Sequence, residues 1–172
     1  RTSSQRRLRY DTGQFVGYRE LPPLQYHLFL SHIWATGQDQ VRIIRERLFD
    51  MYPPGLRVFL DVEEPDFEID DLEGYIDRSD VVLVLATQGY FQSYNCMREL
   101  RRAVQQKKQL ICVLEPEPKR GRLTRDEVRE ELGDETVELC DGSGEYLLST
   151  ALLASDSIEW NRLGVFQMIT MR

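Results

Sequence analysis

Val81-Val82-Leu83-Val84-Leu85 is an unbroken apolar run, rich in β-branched residues, with Asp80 before it and Thr87-Gln88-Gly89 soon after. A strand with one wet face would alternate apolar and polar residues. A continuous run fits a strand covered on both faces. Similar runs lie upstream at Tyr26–Ser31 and Leu56–Leu60 and downstream at Leu110–Leu114, with a weaker candidate at Thr136–Leu139.

Helical spacing fills the gaps. Val41, Ile44, Leu48 and Met51 recur on one helical face, with Thr36 and Asp39 as a start signal and Pro53-Pro54-Gly55 as a stop. Ile69, Leu72 and Ile76 mark a short helix. Another helix is expected from the Gly89–Asn95 connection to about Lys108. Thr124 and Glu127 form a capping-box pattern that Gly133 would close. Residues 158–171, with Trp160, Leu163, Phe166 and Ile169, read as a closing amphipathic helix. Strands alternating with helices imply parallel pairing through right-handed crossovers. The expected fold is α/β: a doubly wound parallel sheet of about five strands in the order 2-1-3-4-5, with helices on both faces. Residues 1–25, which are polar and carry Arg1, Arg6, Arg7 and Arg9, read as an extension or linker, and residues 26–172 as one domain.

Composition narrows the function. A net charge of −7 argues against general nucleic-acid binding, which depends on neutralising phosphates. No apolar run approaches the roughly 20 residues of a membrane helix, and no secretory signal is visible. Arg at position 1 suggests a segment of a longer chain. Three cysteines at no metal-like spacing, with only His27 and His32 as histidines, argue against a zinc site and for a reducing, cytoplasmic setting. The charge is uneven. Residues 61–80 hold ten acids and one base, and residues 98–108 hold five bases and one acid. These could be two solvated faces, or complementary patches that meet between copies.

In a sheet of this order, ligands bind beyond the carboxyl ends of the first and third strands, where the strand order reverses. That rule selects Ser31 to Trp34, Asp61 to Phe67 and Thr87 to Glu99. None of these contains a Gly-x-Gly-x-x-Gly or a phosphate-loop lysine, so an ordinary dinucleotide or NTP module is not expected. The best candidate is Glu99. On a helical wheel Cys96, Leu100, Ala103 and Val104 share the buried face and Glu99 lies on its flank, while Arg98 and Arg102 point away. A carboxylate at that boundary can be partly desolvated, which raises its pKa. It can equally be a surface glutamate paired with Arg98 or Arg102.

Several segments together resemble Toll/interleukin-1 receptor (TIR) domains. Tyr26-His27-Leu28-Phe29-Leu30-Ser31 is similar to their first box, and Phe59-Leu60-Asp61 to their second-strand signature. Ser79, the run Val81 to Leu85, and then Gly89-Tyr90-Phe91-x-Ser93-x-x-Cys96-x-x-Glu99-Leu100 resemble their third strand and following helix. The resemblance runs from about residue 25 to 115. It implies a flavodoxin-like fold and two kinds of activity. Some members are adaptors that signal by self-association. Others cleave NAD at the nicotinamide–ribose bond, releasing linear or cyclic ADP-ribose products. In those members the catalytic glutamate is the one matched here by Glu99.

The resemblance makes NAD a substrate rather than a resident cofactor, and other TIR domains the expected partners. Ser31, His32, Trp34, Asp61, Glu63, Asp66, Ser93, Asn95 and Cys96 are the substrate-binding candidates around Glu99. Asp61-Val62-Glu63 resembles the loop of an animal NAD-cleaving member, and its carboxylates could hold ribose hydroxyls or be solvated. Plant enzymes carry Trp where Asn95 stands; Trp34 or Tyr94 could replace that aromatic wall. The leading expectation is an NAD nucleosidase, with a non-enzymatic assembly module as the alternative. A nucleoside deoxyribosyltransferase-like enzyme shares the layout, but the Ser-x-x-Cys-x-x-Glu-Leu spacing argues against it.

Overall fold

The computed structural model describes residue 9 and residues 11–160. Five strands form a parallel sheet: β1 (Tyr26–Ser31), β2 (Val58–Phe59), β3 (Ser79–Ala86), β4 (Gln109–Leu114) and, at the far edge, Ile158–Glu159. Two short strands between the last pair, β5 (Thr136–Glu138) and β6 (Glu145–Leu147), form a separate antiparallel hairpin, so the edge strand is β7. The sheet order is β2-β1-β3-β4-β7, which is the expected 2-1-3-4-5 arrangement with a different fifth strand. Thr136–Leu139 does not join the sheet. Trp160 continues the β7 edge, its N–H donating to the Leu114 carbonyl at 2.8 Å. The helix expected over 158–171 therefore does not include Ile158 and Glu159, and residues 161–172 lie outside the described residues.

The continuous apolar pattern of β3 is explained by two cores. Successive side chains of a strand point to opposite faces. Val82, Val84 and Ala86 pack with Phe29, Cys112 and Leu114 on one face. That face is covered by α2 (Leu72–Asp77), α3 (Tyr94–Gln105) and α5 (Leu148–Leu152), through Ile76, Leu100, Ala103, Leu148 and Leu152. Leu83 and Leu85 pack with Leu28, Leu30 and Val113 on the other face, against Val41 and Ile44 of α1 (Trp34–Met51). In α4 (Arg125–Leu132) the capping box forms as the sequence indicates. Thr124 accepts from the Glu127 N–H, and the Glu127 carboxylate accepts from the Thr124 N–H. Helix α1 starts earlier than expected. Thr36 lies inside it and hydrogen-bonds Thr87 Oγ1 at 2.6 Å, so its hydroxyl ties the helix to the sheet instead of capping.

Trp160 seals the α1 face. It is fully buried, and its indole N–H donates to Gln40 Oε1 at 2.7 Å. Removing the donor strands a buried amide oxygen, which costs about 1–3 kcal/mol. Trp160→Phe is expected to lower stability to urea, and adding Gln40→Leu to that variant should recover part of the loss. Urea unfolding followed by circular dichroism, run as a double-mutant cycle, measures the coupling.

Candidate active site

Glu99, Ser31 and Tyr90 meet because three local rules agree. Ser31 is two residues after Phe29 on β1, so it points to the α3 side of the sheet. Gly89 sits at φ +89°, and a β-carbon there would press on Ile33 Cδ1 at 3.3 Å. That left-handed residue starts a 3-10 turn over Tyr90–Gln92. Ser93 then caps α3 by accepting from the Cys96 N–H at 3.4 Å, which fixes where the helix begins and hence where Glu99 points.

Ser31 Oγ donates to Glu99 Oε2. A serine hydroxyl has one proton, so Tyr90 OH is the donor in its 2.5 Å contact with Ser31 Oγ. The result is a buried relay, Tyr90 to Ser31 to Glu99. Glu99 is only 7% exposed, deeper than the flank position read from the wheel.

Burial dominates the electrostatics. It drives the Glu99 carboxyl from the usual 4.5 up to about 8, with the Ser31 hydrogen bond pulling the other way. Burial, and then the nearby Glu99, push the Cys96 thiol up to about 12. Cys96 is therefore a neutral thiol, donating to the His32 carbonyl at 3.4 Å, and not a nucleophile. Burial lowers the pKa of His32, against the opposing pull of Asp61. His32 is 5% exposed, and its Nε2 has no hydrogen-bond partner among the described residues.

Outside Glu99 lies a cavity of 510 Å³. His32, Ile33, Trp34 and Ala35 form one wall, Asp61, Phe67 and Ile69 another, and Ser93, Asn95, Cys96 and Glu99 the floor. The Trp34 ring is 60% exposed yet held in place, because its indole N–H donates to Asp61 Oδ2 at 2.7 Å. Asp61 Oδ1 accepts from the Val62 N–H at 2.8 Å, so the aspartate braces both its own loop and the tryptophan.

Most of the sequence candidates converge. His32, Trp34, Asp61, Ser93, Asn95 and Cys96 line the cavity with Glu99, and Ser31 holds Glu99 from behind. Glu63 does not line it and instead pairs with Arg42 at 3.1 Å. Asp66 is exposed and also does not line it. Tyr94 is 75% exposed and outside the lining, so it supplies no aromatic wall; Trp34 and Phe67 do. Tyr90 was not among the candidates. Its signal was its place between Gly89 and Phe91 in the segment that links β3 to α3.

A family model described as TIR domain matches residues 28–139, a span that contains every residue of this cavity. The chain belongs to the TIR domain family. Among solved structures it is similar to the TIR domain of the Toll-related receptor TRR-2 from Hydra magnipapillata, at 16% identity and a TM-score of 0.41, over 52% of this chain and 70% of that one. No curated protein sequence matches.

In this TIR domain the acidic and basic segments meet within the chain. Arg98 grips Glu73 through two contacts of 2.8 and 2.5 Å, and Arg102 grips Asp77 at 2.7 and 2.5 Å. The Arg98 hydrogen bond holds the Glu73 carboxyl below its usual pKa. Helices α2 and α3 are thus clamped beside Glu99, whose negative form Arg98 favours and Glu73 disfavours.

Glu99 sets a pH signature. Folded, it keeps its proton up to about 8; unfolded, it loses it near the usual 4.5. The folded chain binds more protons between those values, so the stability Glu99 contributes is present below this window and lost as pH rises through it. Glu99→Gln is expected to remove that decline and be more stable than wild type above pH 8, by urea unfolding across the range. Ser31→Ala removes the opposing hydrogen bond and should move the Glu99 titration higher still, as read by carboxyl chemical shifts.

Proposed function

We propose that this TIR domain cleaves NAD at the nicotinamide–ribose bond, with Glu99 as the catalytic carboxylate. The observation that carries this reading is a buried carboxyl, braced by Ser31, on the floor of a cavity walled by a fixed indole. Breaking the bond releases neutral nicotinamide, which keeps the bonding electron pair, and leaves positive charge on the ribose. A carboxylate in a water-poor site stabilises that oxocarbenium-like charge strongly. Attack by water at the ribose carbon completes hydrolysis; attack by a nucleophile of the same molecule gives a cyclic product. The pyridinium of NAD is cationic, so its arrival favours the ionised form of Glu99. Trp34 offers a flat surface for stacking, and Asn95 and Ser93 offer polar contacts. Cys96, Cys112 and Cys140 are free thiols. They suit a reducing compartment, and with NAD as substrate they favour the cytoplasm. No helix among the described residues is long and apolar enough to cross a membrane.

Nicotinamide release tests the reading. Glu99→Gln should lower kcat by on the order of 100-fold or more, since it removes the charge that faces the transition state. Wild-type kcat/KM should rise with pH and level off above about 8, because the ionised carboxylate is the active form. Equal release by wild type and variant would defeat the assignment.

A second reading is assembly with other TIR domains, as a scaffold or as a step that switches on the enzyme. It is favoured by the strip Asp66, Glu68, Ile69 and Asp70, which remains exposed after the α2–α3 pairs have formed. Glu68→Lys with Asp70→Lys is expected to weaken self-association at low salt, by light scattering, while leaving the far-ultraviolet spectrum unchanged.

A further inference from the structure

A dinucleotide carries two phosphates, and among the described residues the cavity over Glu99 has no Lys or Arg in its lining. Its titratable lining includes two carboxyls, Asp61 and Glu99, and a histidine whose pKa is lowered. Arg98 and Arg102, on the same helix as Glu99, are engaged with Glu73 and Asp77. In a chain of net charge −7 the diphosphate needs a local positive site. A second cavity, of 460 Å³, adjoins the first, and Trp34 and Ala35 line both. Lys119 and Arg120 line it as well, and Asp39 is the one carboxylate in its lining among the described residues.

Its near wall is the first turn of α1. That helix has 18 residues, an N-cap (Ile33) whose side chain makes no capping bond, and no acid in its first turn. Gly37 N–H is the donor that reaches back to the Ile33 carbonyl, at 2.9 Å, so the N–H groups of Trp34, Ala35 and Thr36 have no carbonyl within the helix to bond. The cations opposite are held in position. Residues Pro118–Arg120 form a 3-10 turn closed by Gly121 at φ +82°. Gly121 accepts from the Gln88 N–H at 2.8 Å, and a β-carbon on Gly121 would meet Gln88 at 3.2 Å. The basic turn is thereby pinned to the same β3–α3 connection that carries Tyr90. Neither Lys119 nor Arg120 forms an ion pair among the described residues.

We propose that the cavity between the first turn of α1 and the Lys119–Arg120 turn binds the diphosphate of a dinucleotide whose nicotinamide riboside end lies over Glu99, an inference that rests on the NAD reading above. Trp34 stands between the two subsites, so the substrate would bend around the indole. Lys119 and Arg120 supply charge to the diphosphate and touch no reacting atom. They set affinity for the dinucleotide, not the rate of bond cleavage.

The test uses the whole chain and the exposed double variant Lys119→Glu/Arg120→Glu. Isothermal titration with ADP, with adenosine as the uncharged control, reads the anion subsite without catalysis. Wild type should bind ADP more tightly than adenosine or inorganic phosphate, and the variant should lose about tenfold or more in ADP affinity. In the nicotinamide assay its KM for NAD should rise by a similar factor at nearly constant kcat, while cleavage of nicotinamide riboside, which lacks the diphosphate, should be unchanged. ADP binding that is absent in wild type, or equal in wild type and variant, overturns the subsite even where NAD is cleaved. ADP binding that depends on both cations, in a protein that releases no nicotinamide, keeps the anion site and defeats the NAD reading instead. Equal binding of inorganic phosphate and ADP overturns its assignment to a dinucleotide.

Discussion

The hydrogen bond from Ser31 to Glu99 joins the carboxyl end of β1 to the first turns of α3. It decides what kind of group Glu99 is. Without a donor, a carboxyl buried on the floor of an apolar-walled cavity would stay protonated at any physiological pH. With several donors it would be an ordinary anion locked in a structural role. One donor, itself fed by Tyr90, leaves it poised near 8, where the arrival of a cationic ligand can tip it to the charged form. The rest of the fold serves that contact. The two-residue period of β1 aims Ser31 at α3, Gly89 turns the chain after β3, and Ser93 sets the start of the helix.

The parts of this arrangement that the sequence revealed are those governed by local rules. The run Val81–Leu85 marked the central strand because burial on both faces demands a continuous apolar pattern. The Thr124–Glu127 capping box marked the start of α4 because capping is a local hydrogen bond. The errors lie where distant segments decide. Thr136–Leu139 has the composition of a sheet strand, but its partner is the nearby Glu145–Leu147, a short-range pairing that costs less loop-closure entropy than a distant edge. The true fifth strand, Ile158–Glu159, pairs through two residues, too few to show any period. Trp160 read as one position of a helical stripe, yet its burial comes from Gln40 and the face of the sheet.

The depth of Glu99 was also hidden. A wheel reports which side of a helix a residue occupies, not how closely other elements approach that side. Here the end of β1 and the helix α2, drawn in by the Arg98–Glu73 and Arg102–Asp77 pairs, turn a flank into an interior. Those pairs are only partly buried, so each adds little to stability by itself. Their effect is geometric: they use the charge asymmetry of residues 61–80 and 98–108 within the chain, and so remove the cations of α3 from the site.

That removal shapes the rest of the surface. A cavity holding Glu99 and Asp61, with no cation in its lining among the described residues, suits the positively charged end of a ligand and disfavours a negatively charged one. The positive groups lie beyond Trp34, in the cavity that the first turn of α1 shares with Lys119 and Arg120. The two cavities thus differ in sign across one indole, and Asp61 holds that indole upright while lining the negative side. A molecule with a cationic ring at one end and phosphates in its middle matches both signs in order. A molecule with either charge alone would match one cavity and meet an unfavourable field in the other. Trp34 lines both cavities, so its anchoring by Asp61 matters as much to this surface as its exposed face.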